Sequence, residues 1–136
     1  MTTTDGKISE TLSAIAGMVA RTASPNPEGA FLYAEAERAF VSTAVFNDVG
    51  DFVQYYHCSD GLSMAVLDLW YLCDPAKKWA ALLLTIVGEE FDARFQYPED
   101  WGDDDDGERR QKVLRAKYGD KEVRYPSFDD MSVGDG

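Results

Sequence analysis

The stretch that decides the fold runs from Trp79 to Tyr97 and reads WAALLLTIVGEEFDARFQY. Its first half is an apolar, β-rich run that ends at Val87, and residues 88–90 supply a turn. From Phe91 onward, every second residue is apolar and the residues between are polar. Because successive side chains of a strand point to opposite faces, the stretch predicts a β-hairpin with one buried face.

Two further strands are predicted upstream of the hairpin, at Phe40–Phe46 and Phe52–His57. The turn formers of Asn47–Asp51 separate them, so we expect the two strands to be antiparallel neighbours. The aromatic flanks of Ala34–Arg38 favour an extended conformation there, although its Ala and Glu residues favour a helix. A last short extended piece is expected at Glu122–Tyr125.

Helical segments are predicted at three places. In Ile8–Arg21, apolar residues recur at intervals of four, three and four, which is typical of an amphipathic helix, and Asp5 can cap its start. Leu62–Cys73 is apolar on nearly every face, so we expect it to be the most enclosed helix. The segment Gly107–Tyr118 predicts a basic C-terminal helix, ended by Gly119.

These elements predict an α+β fold, with an antiparallel sheet of about five strands and helices packed mainly against one face. A chain of 136 residues buries about two thirds of its surface on folding, which is enough for one core. We therefore expect a single domain over residues 1–136. Residues 1–6 and 127–136 are expected to fray.

The charge balance restricts the partners of this chain. It carries 25 Asp and Glu residues against 13 Lys and Arg residues, a formal charge of −12. Because duplex binding depends on neutralising phosphates with Lys and Arg, this balance excludes a sequence-independent nucleic-acid binder and favours a basic protein partner. No apolar run has the length of a membrane span, so no membrane partner is expected.

The compartment predicted from the sequence is the cytoplasm. Met1–Lys7 has no basic stretch followed by an apolar core, so a signal peptide is not expected. Cys58 and Cys73 fit a reducing compartment, where they would be small buried hydrophobic residues.

The most acidic segment lies between Pro98 and the basic helix. We expect it to supply the surface that meets a basic partner, with Trp101 either as an exposed anchor or as a clamp folded onto the core. The predicted partner-binding residues are Glu99, Asp100, Trp101, Asp103, Asp104, Asp105 and Asp106.

Cation binding is the other function that this acidic segment suggests. An EF-hand loop needs oxygen ligands at positions 1 and 12, and placing Gly107 at position 6 puts Gly102 and Val113 there. We therefore expect no metal site. The local alternative is structural, since Asp106 can cap the basic helix and Asp105 can pair with Arg109.

Catalytic residues are not indicated, and we expect neither enzyme activity nor a cofactor. Neighbouring side chains on a strand point to opposite faces, so His57 and Cys58 could not share a proton there. Carboxylate pairs such as Glu35 and Glu37 need a cleft that raises one pKa, and the sequence shows none.

The order of these segments resembles a known protein family. The run Lys78–Gly88, continued through Glu90–Tyr97, is similar to the Trp-led hairpin and aromatic-acidic strand of YezG-like immunity proteins. The aromatic strand Phe31–Glu35 and the helix from Arg109 to Gly119 add to the resemblance, which covers residues 8–126. It implies a cytoplasmic α+β protein, without catalysis of its own, that protects bacteria by binding and neutralising a toxin, often a nuclease.

Two other function classes stay open. The chain could be a carboxylate-based metal-dependent hydrolase or small-ligand-binding protein that uses the acidic segment. It could also be a structural or regulatory homodimer that associates through a strand edge such as Phe40–Phe46.

Overall fold

A computed structural model describes residues 4–24, 26–73, 75–101 and 106–125. Of the residues predicted to fray, 1–3 and 127–136 lie outside this part of the chain, whereas residues 4–6 belong to the first helix. The described elements, in chain order, are α1 (Thr4–Thr22), β1 (Phe31–Glu37), β2 (Phe40–Asp48), β3 (Val53–Tyr56), α2 (Asp60–Leu72), β4 (Ala81–Val87), β5 (Glu90–Gln96), a 3-10 turn (Pro98–Asp100), α3 (Asp106–Tyr118) and β6 (Val123–Arg124).

The described strands form one six-stranded sheet in the order β5-β4-β1-β2-β3-β6. The predicted hairpin is confirmed, with Val87 opposite Glu90 at its turn, and so is the antiparallel pairing of β2 with β3. The sheet differs from the predicted five antiparallel strands at one edge. There the two-residue β6, which lies within the extended piece predicted at Glu122–Tyr125, pairs in parallel with β3.

The first face of the sheet packs against α1 and α2. Alternate residues of β1 point to this face, and β4 contributes Leu82, Leu84 and Ile86. Helix α1 adds Ile15 and Val19 to the same core. After β3, α2 crosses this face over β2 and β1, and the chain then enters β4.

The second face of the sheet packs against α3. Phe31, Phe46 and Val53 from the strands form a smaller core with Leu114 of α3. The expectation that helices pack mainly against one face is therefore only partly right. The reason is that α3 carries five Lys and Arg residues, which make its short apolar stripe hard to recognise.

The sequence predicts that the middle helix, α2, is the most enclosed. Ser59 caps α2 by accepting a hydrogen bond from the Leu62 backbone N–H. One stripe of α2 is buried, but Met64 and Tyr71 are exposed. The Tyr71 hydroxyl instead accepts a hydrogen bond from the Ala39 backbone N–H in the β1–β2 turn.

The start of α1 also differs from the prediction. The helix begins at Thr4, so Asp5 lies inside its first turn rather than at the cap position. Within the described residues, no helix combines the length and the apolar character needed to cross a membrane.

Strand β2, proposed as a dimer edge, is only half open. It pairs with β1 from Phe40 to Phe46, and β3 pairs with its other side from Val45 to Asp48. Among the described strands, the stretch 40–44 therefore has a partner on one side only. Pairing with a second copy could involve this stretch but not the whole of Phe40–Phe46.

The β1–β2 turn yields a stability prediction. Ala39 has a φ of 60°, a left-handed conformation that costs an L-residue about 1–2 kcal/mol and that glycine adopts freely. We expect Ala39→Gly to raise the free energy of unfolding by about 0.5–1 kcal/mol, because relief of this strain exceeds the added chain entropy. Urea denaturation measures the change.

The matched control is Gly88→Ala in the β4–β5 turn. Gly88 has a φ of 63°, and an added Cβ would meet nothing within 4 Å, so only backbone strain distinguishes the variant. It should lower the free energy of unfolding by about 1 kcal/mol. Shifts of the same sign in both variants would contradict the explanation.

Candidate functional site

The predicted partner-binding residues begin at one end of the sheet, beside the β1–β2 turn and the end of β5. Glu99 and Asp100 are exposed in the 3-10 turn, and Asp100 Oδ2 accepts a hydrogen bond of 2.8 Å from the Tyr97 backbone N–H. Asp103, Asp104 and Asp105 lie outside the described residues. Asp106 is the first residue of α3.

Trp101 lies against the protein rather than projecting from it. The indole Nε1–H donates to Gln96 Oε1 over 3.1 Å, and the ring packs against the core of the second face. On the ring, the guanidinium carbon of Arg109 lies 3.7 Å from the centroid. Of the two roles considered for Trp101, this geometry is that of the clamp.

Arg109 connects this clamp to the sheet through a largely buried ion pair with Glu35. The Arg109 Nη2 atom lies 2.9 Å from Glu35 Oε1, and Nε lies 3.1 Å from Oε2. The two side chains are only 12% and 13% exposed. Such bidentate pairs fix the relative position of the elements that carry them, here α3 and β1.

Tyr33 completes this cluster. Its hydroxyl donates a 2.6 Å hydrogen bond to Glu35 Oε2. Burial, with a further contribution from the Glu35 carboxylate, raises the pKa of Tyr33 well above its ordinary value, so the phenol stays protonated as a donor. Both Glu35 oxygens therefore accept hydrogen bonds from the protein, which leaves Glu35 poorly suited to act as a general base with Glu37.

A cavity of about 380 Å³ opens beside this cluster. The three tryptophans of the chain, Trp70, Trp79 and Trp101, line it together with Phe40. The Trp70 indole N–H donates to the Trp79 carbonyl over 2.9 Å. Lys78 fixes the end of α2, because its Nζ donates to the carbonyls of Trp70 at 2.6 Å and Cys73 at 2.7 Å.

The rim of this tryptophan cavity combines exposed aromatic and acidic side chains. Phe40 is 48% exposed, and Tyr71, which contacts the same turn, is 52% exposed. Glu37 lines the cavity and is exposed, and Glu99 and Asp100 are exposed in the 3-10 turn between Pro98 and Trp101, which also line it. We call the five residues Phe40, Tyr71, Glu37, Glu99 and Asp100, with the cavity, the acidic end of the sheet.

Cations at this end mostly bind the protein itself. Lys78 caps α2 and lies 4.6 Å from the Trp70 ring centroid, while Arg109 pairs with Glu35. Lys77 is exposed and lies 5.0 Å from the Tyr97 ring centroid. Arg38 is exposed in the β1–β2 turn. Carboxylates and aromatic rings therefore make up most of what this end offers a partner.

Neither a metal site nor an activated nucleophile is indicated among the described residues. There, no group of three or more His, Cys, Asp or Glu residues is placed to hold a metal ion. The predicted strand position of His57 and Cys58 is wrong, since both follow the end of β3. His57 is exposed, and burial raises the pKa of the Cys58 thiol, which disfavours the reactive thiolate.

Comparison with known proteins does not assign this chain to a family. Neither the models of known protein families nor the curated protein sequences contain a match to this chain. The resemblance to YezG-like immunity proteins therefore stays a prediction.

The sequence contained some signals for this site and lacked others. It indicated Trp101 and the acidic residues, which stand together in the chain. The pairing of Arg109 with Glu35 joins residues 74 positions apart, so no local pattern could show it. The convergence of three tryptophans likewise depends on the strand order.

The Glu35–Arg109 pair yields the second prediction. Glu35→Gln removes the carboxylate that pairs with the largely buried Arg109 guanidinium, so we expect the free energy of unfolding to fall by about 3 kcal/mol. Replacing both residues, as Glu35→Gln with Arg109→Met, should cost less than the sum of the two single changes. Urea denaturation at neutral pH of all four proteins measures this coupling, and additive losses would show that the pair does not stabilise the fold.

Proposed function

We propose that this chain is an immunity-type inhibitor located in the bacterial cytoplasm. It binds a basic protein toxin and occludes the active groove of that toxin. The observation that supports this most directly is the acidic end of the sheet, where exposed Phe40 and Tyr71 lie beside exposed carboxylates.

The charge of the chain suits a toxin that acts on nucleic acid. A nuclease needs a basic groove to hold phosphates, and a protein of charge −12 is attracted to such a groove at long range. Electrostatic complementarity of this kind mainly accelerates association. The carboxylates of the acidic end would then occupy the positions of the phosphates.

Aromatic side chains would supply the short-range part of the interface. Stable interfaces place aromatic anchors at the centre and polar groups at the rim. The acidic end offers both kinds of group, because Phe40 and Tyr71 are exposed there and so are Glu37 and Glu99. Trp101 would act indirectly, by holding Arg109 and the start of α3 in place.

Two further observations agree with a non-catalytic protein of a reducing compartment. Both cysteines are free thiols, as is usual in the cytoplasm. The buried carboxylate of Glu35, which lines the cavity, already accepts hydrogen bonds from Arg109 and Tyr33.

The first test measures association with the basic domain encoded by the neighbouring open reading frame. We expect the triple variant Glu37→Gln, Glu99→Gln, Asp100→Asn to associate about tenfold more slowly at low salt, with little change in dissociation. The difference should shrink as salt rises, because screening weakens long-range attraction. Surface plasmon resonance at several salt concentrations resolves both rates.

The control removes the same charge from the opposite end of the sheet. The control variant is Asp51→Asn, Glu89→Gln, Glu90→Gln. Asp51 and Glu89 lie in the β2–β3 and β4–β5 turns, Glu90 is the first residue of β5, and all three residues are exposed. This variant should associate nearly as fast as the unchanged protein. Equal slowing in both triple variants would show that net charge, and not the acidic end, attracts the partner.

Growth rescue tests the function itself. Co-expression of this chain should protect cells from the neighbouring basic domain, and Phe40→Ser should weaken protection by speeding dissociation. Absence of rescue, together with absence of a complex at low salt, would overturn the proposal.

A further inference from the structure

A second cavity lies between α3 and the β4–β5 hairpin. Its volume is about 450 Å³, within the range of small-molecule sites. Phe31 and Leu83 contribute apolar surface from the sheet, and Val113 and Ala116 contribute it from α3. We call this cavity the α3 groove.

Charges in the α3 groove have the opposite sign to the chain as a whole. Arg94, Lys112 and Lys117 line it, against one lining carboxylate, Asp92. Residues 106–125 hold seven of the 13 Lys and Arg residues of the chain, with only four Asp and Glu. A cleft lined by one sign of charge concentrates ligands of the other sign, so the groove is suited to anions.

Lys117 is held over the floor of the groove. Its Nζ donates to Thr85 Oγ1 over 3.3 Å and lies 4.9 Å from the ring centroid of Phe31. Burial lowers the pKa of Lys117. The charge of Asp92 opposes this shift, and the charge of Arg94 adds to it. A bound anion would favour the charged ammonium and offset the cost of its desolvation.

Arg94 is positioned to bind the same anion. Its Nε donates to Asp92 Oδ2 over 3.1 Å, and both side chains are exposed. Exposed ion pairs contribute little stability, so exchanging Asp92 for a ligand is inexpensive. The planar guanidinium binds carboxylates and phosphates through two parallel hydrogen bonds.

We infer that the α3 groove binds a small organic anion, whose apolar body packs on Phe31 and Leu83 while Arg94, Lys112 and Lys117 hold its carboxylate or phosphate group. This site is separate from the proposed toxin surface, because Glu37, Glu99 and Asp100 do not line it. Its test can therefore fail or succeed independently of toxin binding.

The experiment titrates the intact chain with defined probes and follows backbone amide shifts by two-dimensional NMR. The probes are 1-naphthoate and phenyl phosphate, with 1-naphthamide as a neutral analogue of the same shape. We expect saturable shifts from both anions at residues 83–85, 92–96 and 112–117, and none from the amide. Inorganic phosphate and a hexaglutamate peptide are titrated in parallel.

Variants then assign the binding to the groove cations. Lys112→Gln with Lys117→Gln should weaken naphthoate at least about tenfold, whereas Lys117→Arg should retain binding. Arg94→Gln gives a second variant on the exposed hairpin, away from the α3 core. The matched control, Lys7→Gln with Arg21→Gln, removes the same charge from α1 and should leave the affinity unchanged.

Each outcome decides for or against the inference. Equal binding of naphthoate and naphthamide would show that the groove is an apolar surface that does not recognise the anionic group, and would contradict the inference. Amide shifts spread over the whole chain would show a general charge effect and no defined site. An equal loss of naphthoate affinity in the α1 control and in the Lys112, Lys117 variant would show the same. Saturable binding of hexaglutamate without binding of the small anions would assign the groove to an acidic peptide and overturn the proposal.

Discussion

The ion pair between Arg109 and Glu35 fixes α3 on the second face of the sheet, and both cavities of interest depend on that position. Among the α3 side chains that the structure describes, Leu114 alone is buried, so apolar packing by itself holds this helix only weakly. The buried pair adds a directional contact, and Trp101 covers it. The position of α3 that this ion pair fixes therefore shapes both the tryptophan cavity, which lies beside exposed carboxylates, and the α3 groove, which is lined with cations.

Most of the fold could be predicted from the sequence because its signals are local. Alternation and a glycine turn gave the β4–β5 hairpin, and apolar spacing gave α1 to within a turn. Predictions failed where tertiary contacts override local pattern. Asn47 was expected in a turn, but it belongs to β2, and its buried amide donates to the carbonyls of Asn26 and Glu28. A contact of this kind between a loop and a strand produces no periodic pattern in the sequence.

The candidate sites were less predictable than the fold, for a related reason. A run of acids is conspicuous in the sequence, so an acidic binding surface could be proposed, but its aromatic component could not. Phe40 and Trp70 are 30 positions apart and meet only because α2 ends beside the β1–β2 turn. The cationic groove was obscured by the overall acidity, since net charge says nothing about where each sign is placed.

The strand order also imposes a sequence of events on folding. β1, β2 and β3 form a meander of neighbouring segments, whereas β4 must reach the far side of β1 after the whole of α2 has been made. Long-range pairing of this kind closes later than local hairpins. During synthesis on the ribosome, Leu32 and Ala34 therefore remain without the strand that covers their edge until residues 81–87 emerge. The nascent chain is most vulnerable to misassembly in that interval.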